Sequence, residues 1–307
     1  MPTDPALLHA KLRALIGDGG TPTTFPGGAA NTRGWILADD NAPRALGPAL
    51  VWAERHDVDP ADLHVIVDDP ATAAALARRS TQFARRPHIH VTEGRTLRDA
   101  HPAPPLDLER HAPPDDAHFA RTLKAAGAEP VVEHGVLVGE VNGLEVARVV
   151  DGHLEVGVGK HDRHAQTLVH GDRPMGEALA AAVAFVTQHR RPHAEPHPLN
   201  RLARERWLRA DLLGEHPGLR PISSPVERDD LRVNAPAPAV DSNNETVYVC
   251  STGIDLDLVP AAADARLSVN ETAALVLVVP PRDDHPITRR LAAALTRPAS
   301  VVTRALD

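Results

Sequence analysis

Imidazole and carboxylate groups crowd one short stretch, GKHDRHAQTLVH (159–170), which supplies His161, Asp162, His164 and His170. These ligand types suit zinc or manganese. The spacing matches no structural-zinc pattern, and with 18 histidines in the chain a surface loop explains the cluster without a metal. His189, His193 and His197 recur at every fourth position, but Pro192, Pro196 and Pro198 keep them off one helical face. In CSTGIDLD (250–257), Ser251, Thr252 and Gly253 stand where a strand turns into a helix, and could offer hydroxyls and N–H groups to an anion or cofactor. An N-cap with a tight turn accounts for the same residues, and neither GxxxxGK[ST] nor GxGxxG is present. Asp39 and Asp40, and Asp68 and Asp69, fall at the carboxyl ends of expected strands, where open parallel sheets take ligands. Their charge favours a cation, ribose or amine over a phosphate, while helix capping needs no ligand. Cys250 lies among apolar neighbours and reads as a strand residue rather than a nucleophile.

The elements that must position these groups alternate regularly. GWILADD (34–40), LHVIVDD (63–69) and HIHVTE (88–93) read as strands, separated by helices over 43–58 and 70–86. The last sixty residues repeat the layout: strands at 247–253, 274–280 and 299–303, with helices at 255–267 and 284–296. Strands alternating with helices of this length imply parallel pairing. VIVDDPATAAALARRSTQFARRPHIHV and LVVPPRDDHPITRRLAAALTRPASVV share a strand, acids, a proline, an Ala-rich helix and Arg-Pro before the last strand. This parallel reads as an internal duplication, with chance likeness between two βαβ units as the alternative.

Between the two segments lies a helix at 115–127, then VVEHGVLVGEV, LEVARVV and HLEVGVG joined at Asn142-Gly143 and Asp151-Gly152, then a helix at 175–190. Asn-Gly and Asp-Gly between β-rich runs are strong hairpin signals, because both turn positions need positive φ. Over roughly 115–190, this order of helix, three antiparallel strands and helix, with Glu140, Glu145 and Glu155 on the strands, resembles the core of the restriction-endonuclease-like family, the PD-(D/E)XK nucleases. The resemblance implies that Glu145 and Glu155 hold Mg²⁺ or Mn²⁺, which orients water for attack on a phosphodiester. Glu140 joins them in the implied catalytic set. The family's lysine falls two residues beyond the second acid, where this chain has Gly157. Lys160 is the nearest substitute. On the residues alone, the three glutamates also fit the exposed face of an antiparallel sheet.

The chain has 307 residues, 42% of them hydrophobic, and a formal net charge of -8. A field of that sign does not favour non-specific binding to phosphate backbones. One cysteine excludes an intrachain disulfide. MPTDPALLHAKLRALIG shows no secretory signal, and no apolar run approaches the roughly 20 residues of a membrane span, so the expectation is a soluble, cytoplasmic protein. Two arginine clusters, Arg78 to Arg98 and Arg190 to Arg209, read as solvated helix faces. For the helix at 198–214 the sharper alternative is an arginine-lined groove that faces the meander and takes a phosphate or an acidic partner.

The expected class is α/β, with two Rossmann-like βαβαβ segments flanking a central meander module and free to pair into one sheet. The division runs 1–30 (helix and linker), 31–98 (first βαβαβ segment), 99–114 (Pro-rich linker), 115–216 (meander module), 217–245 (Pro-rich connector) and 246–307 (second βαβαβ segment). Two functions from different classes follow. One is a non-catalytic or catalytically degenerate binding or scaffold protein for a small ligand or protein partner. The other is a metal-dependent nuclease-like enzyme using Mg²⁺ or Mn²⁺, with nucleic acid as its partner.

Overall fold

A computed structural model describes residues 4–17, 19–160, 162–163, 174–191, 193–226 and 230–306. Within these, the helices are α1 (Pro5–Ile16), α2 (Leu46–Arg55), α3 (Pro70–Ser80), α4 (Ala117–Ala125), α5 (Met175–His189), α6 (Arg204–Glu215), α7 (Leu258–Val269) and α8 (Pro286–Ala293). The chain is a mixed α/β protein that divides into two compact units. None of the described helices is long and apolar enough to cross a membrane.

The first unit comprises residues 1–105, 256–264 and 285–300. Its sheet runs in chain order through β1 (Pro22–Phe25), β2 (Gly28–Asn31), β3 (Trp35–Ala38), β4 (His64–Val67), β5 (His88–Glu93) and β6 (Thr96–Asp99). The three inner strands β3, β4 and β5 are parallel, as the alternation of strand and helix requires. Antiparallel β2 and β6 flank them. Leu8 and Leu12 of α1 pack on Ala29, Leu37 and Ile66. Because side chains alternate along a strand, Trp35, His64, His88 and His90 lie on that same face. Asp69 caps α3 by accepting from the Thr72 N–H at 2.7 Å.

The second unit comprises residues 106–255, 265–284 and 301–307. One of its sheets is an antiparallel meander, ordered β10 (His153–Val156), β9 (Leu144–Val150), β8 (Val136–Val141) and β7 (Glu129–Glu133). Phe119 and Leu123 of α4 and Leu179, Val183 and Val186 of α5 cover one face of it. A second sheet has the order β11 (Leu219–Pro221), β12 (Ala237–Asp241), β13 (Thr246–Cys250), β14 (Ala274–Val279) and β15 (Ser300–Thr303), with β13 and β14 parallel.

Several expectations need correction. The strands of the two βαβαβ segments lie in different sheets, so no shared layer forms. The stretch 17–30, expected as a loop, carries most of the β1–β2 hairpin. The Pro-rich connector at 217–245 supplies β11 and β12. VVEHGVLVGEV is two strands rather than one, because His134 (φ 52°) and Gly135 (φ 83°) both take the left-handed conformation of a tight hairpin turn. Helix α3 stops at Ser80 rather than continuing to Arg86. Phe83 turns aside to bridge Leu295, and Pro87 disfavours helix at the residue before it.

Candidate functional site

The meander face opposite α4 and α5 is lined with charge. Alternation places Glu133 on β7 and Glu140 on β8 on that face, with Glu140 directly across from Glu145 of β9, and a β-bulge at Gly139–Glu140 shifts the register so that Arg148 of β9 and its partner Glu155 on β10 join them. The face is closed rather than open to water: Glu133, Glu140 and Glu145 are each about 5% exposed or less. Buried carboxylates need paired cations, and four arginines provide them. Arg206 of α6 donates to Glu140 at 3.1 Å and lies 3.2 Å from Glu133. Arg209, one helical turn on, reaches both oxygens of Glu140. Arg148 makes a two-pronged contact with Glu145 at 2.8 and 3.0 Å. Arg163 donates to Glu145 and lies 3.6 Å from Glu155.

The turn after β10 explains how Arg163 arrives there. Gly157, at φ 145°, brings the backbone so close to Arg163 that a Cβ would stand 2.7 Å from the Arg163 nitrogen. Asp162 accepts from the Val158 N–H at 2.7 Å and fixes the reversal. The cation beside Glu145 and Glu155 is therefore Arg163. Lys160 is exposed and lines a separate cavity with Asp162, Asp230 and Arg232. Burial alone would raise the Glu140 pKa, but the Arg209 and Arg206 guanidiniums outweigh it and hold the carboxyl below its ordinary value. The same acids raise the Arg206 pKa against the effect of burial.

The arginine clusters are only in part the solvated faces their spacing suggested: Arg85, Arg86, Arg95, Arg98, Arg191 and Arg201 are exposed, whereas Arg78, Arg79, Arg190, Arg206 and Arg209 are buried. Arg190 donates to the carbonyls of Asn142, Leu199, Leu202 and Ala203, and its guanidinium lies 4.8 Å from the centre of the Trp207 ring.

The remaining sequence-predicted residues are scattered. His161, His164 and His170 lie outside the described residues. His189 and His197 stack at 3.9 Å. Ser251 and Thr252 are buried, and the Gly253 N–H donates to Asp283 at 2.7 Å, so a protein carboxylate takes the amide expected to meet an anion. Helix α7 begins only at Leu258. Cys250 is buried, and burial pushes its thiol up to about 12. Asp68 is engaged by Lys11 and Thr92, and Asp39 and Asp40 border a cleft beside α1. Among the described residues, no three His, Cys, Asp or Glu side chains are grouped to hold a metal ion as they stand.

Sequence reasoning passed over one cluster. Trp35, His64 and His88 open three neighbouring parallel strands in register, and His90 follows two residues along β5. The Trp35 and His64 rings stack at 3.9 Å with planes 9° apart. His64 Nδ1 and His90 Nε2 are 2.9 Å apart, and His90 Nδ1 lies 2.9 Å from Asp99 Oδ1. The signal was the His-x-His pattern at 88 and 90 beside a strand that also starts with histidine. It becomes visible only once the register is known.

Burial, followed by the neighbouring His90 and His88, drives the His64 pKa down to about 4. The sign follows directly: between pH 6.5 and 4 the unfolded chain binds the proton that folded His64 refuses, so stability falls as pH drops through that window and levels off below it. At about 1.4 kcal/mol per unit, discounted because the ring is only half-buried, the contribution is on the order of 1–2 kcal/mol. Urea melts at pH 7 and pH 4.5, in chelator, should show His64→Phe losing that much less stability than wild type. Equal losses would refute the assignment.

Comparison with family models, with curated proteins and with solved structures finds no match to this chain.

Proposed function

We propose that the chain is a non-catalytic binding protein whose nuclease-like meander carries no working metal centre. The observation that supports this reading is the neutralisation of the meander acids. Glu140, Glu145 and Glu155 do share one face, as a phosphodiesterase would require, but Glu140 and Glu145 are buried and taken up by arginines, which leaves only the partly exposed Glu155, 3.6 Å from Arg163, to meet Mg²⁺ or Mn²⁺. A small ligand or protein partner has a more suitable place in the first unit. There a cavity of about 730 Å³ has an apolar floor of Leu50, Val58, Phe83 and Leu291, with the exposed pairs Arg290–Glu54 and Arg85–Asp59 at its rim.

The competing reading, metal-dependent cleavage of nucleic acid, rests on the shared face and the order of elements. A cleavage assay separates the two. With Mg²⁺ or Mn²⁺ and single- or double-stranded DNA or RNA, wild type and Glu155→Ala are expected to give the same background. Glu155 is partly exposed, so its loss leaves the fold intact. Metal-dependent cleavage by wild type that disappears in Glu155→Ala would overturn the binding-protein reading.

A further inference from the structure

The cluster on the α1 face of the first unit has the makings of a metal site. His64 and His90 have ring centroids 5.2 Å apart and planes 21° from parallel, yet their facing nitrogens are only 2.9 Å apart. The rings therefore meet edge to edge, with His64 Nδ1 and His90 Nε2 pointing at each other. A hydrogen bond puts a proton between them. A tetrahedral cation there needs the two nitrogens to part to roughly 3.3 Å and the rings to tilt toward it, as metal–nitrogen bonds of about 2.0–2.1 Å require.

Asp99 on β6 engages the other nitrogen of His90, as carboxylates behind metal-bound imidazoles do, and so leaves Nε2 as the ligating atom. His88 supplies a third imidazole on the same face, with its ring centre 4.8 Å from His64 and 6.5 Å from His90. His88 is exposed, so its ring can change rotamer to face the other two at small cost. Apart from imidazoles, the charged groups acting on His64 are the carboxylates Asp62 and Asp99, which draw a cation in.

We propose that His64, His88 and His90 bind a borderline divalent cation of the zinc class, with Asp99 orienting His90 and a fourth position left to water. The proposal goes beyond the binding-protein reading and does not depend on it, because the meander acids take no part.

The test is Zn²⁺ titration of chelator-stripped full-length protein by calorimetry, with the fluorescence of Trp35, which stacks on His64, as a second readout in a Trp52→Phe, Trp207→Phe background. One site per chain is expected to stand clear of the weak background of the other histidines. His88→Ala and His90→Ala should abolish it, Asp99→Asn should weaken it by about 10–100-fold, and His189→Ala should leave it unchanged. His88→Ala alters only an exposed side chain, so its effect does not depend on a fold change. Wild-type binding no tighter than in His88→Ala and His90→Ala, or a site lost in His189→Ala instead, would overturn the proposal.

Discussion

Asp264→Ala is expected to cost the first unit about 3–5 kcal/mol, among the largest effects of any single substitution in this chain. The side chain of Asp264 is fully buried, and it binds two guanidiniums: Arg78 at 2.7 and 2.9 Å, and Arg79 at 3.0 Å. Arg79 also reaches Asp257 at 3.1 Å, and each arginine donates to one carbonyl, Pro104 or Pro43. Removing the shared carboxylate takes a counter-charge from two desolvated cations at once, and the penalty is that of unbalanced charge rather than of a lost contact. Glu54→Ala offers the contrast, because its pair with Arg290 is exposed at both ends and is worth about 1 kcal/mol or less. Trp35 and Trp52 belong to the first unit and Trp207 to the second, so a Trp207→Phe background isolates the relevant transition in a urea melt. A loss below about 1 kcal/mol for Asp264→Ala would mean that water reaches this network.

Glu140→Ala is expected to destabilise the second unit by a similar amount, about 3–5 kcal/mol, because Arg206 and Arg209 would lose the carboxylate that both hydrogen-bond and keep Glu133 as the one they share among the described residues. The informative companion is the quadruple replacement Glu133→Leu, Glu140→Leu, Arg206→Met, Arg209→Leu, which leaves no member of the network without its counter-charge. Removing both signs of charge together is expected to recover most of the loss, since well-packed apolar groups replace buried ion pairs at little or no cost. Following Trp207, which lies between Arg206 and Arg209 on α6, in a Trp35→Phe, Trp52→Phe background gives the measurement. A quadruple variant as unstable as the single one would show that packing of the glutamate stem, rather than charge balance, governs the site.

These networks mark the boundary of what the sequence made legible. Strand positions were, because each inner strand is a short Val- and Ile-rich run between turn residues. The Asn142-Gly143 hairpin was as well, and the structure adds a second constraint: a Cβ on Gly143 would stand 2.2 Å from the Arg206 carbonyl. The His134-Gly135 turn was missed because His-Gly is a weaker signal than Asn-Gly for the same left-handed pair of conformations. Arginine burial could not be read. Arg78 and Asp264 stand 186 positions apart, and helical periodicity carries no information about a partner that distant. The period of two alone pairs Glu140 with Glu145 but sends Glu155, which lies opposite Arg148, to the other face; the β-bulge beside Glu140 that brings all three together carried no sequence signal, and neither did their cations. Arg163 comes back through a glycine-enabled reversal, and Arg206 and Arg209 come from a helix beyond the module that was compared with nucleases.

The discontinuity of the first unit has a consequence for how the chain is made. Residues 1–105 emerge from the ribosome carrying Arg78 and Arg79, while the carboxylates that neutralise them, Asp257 and Asp264, follow only 178 to 186 residues later. The nascent sheet must wait, with two guanidiniums still hydrated, until the late segments thread back and seal it. Synthesis order and folding order therefore diverge in this half of the molecule.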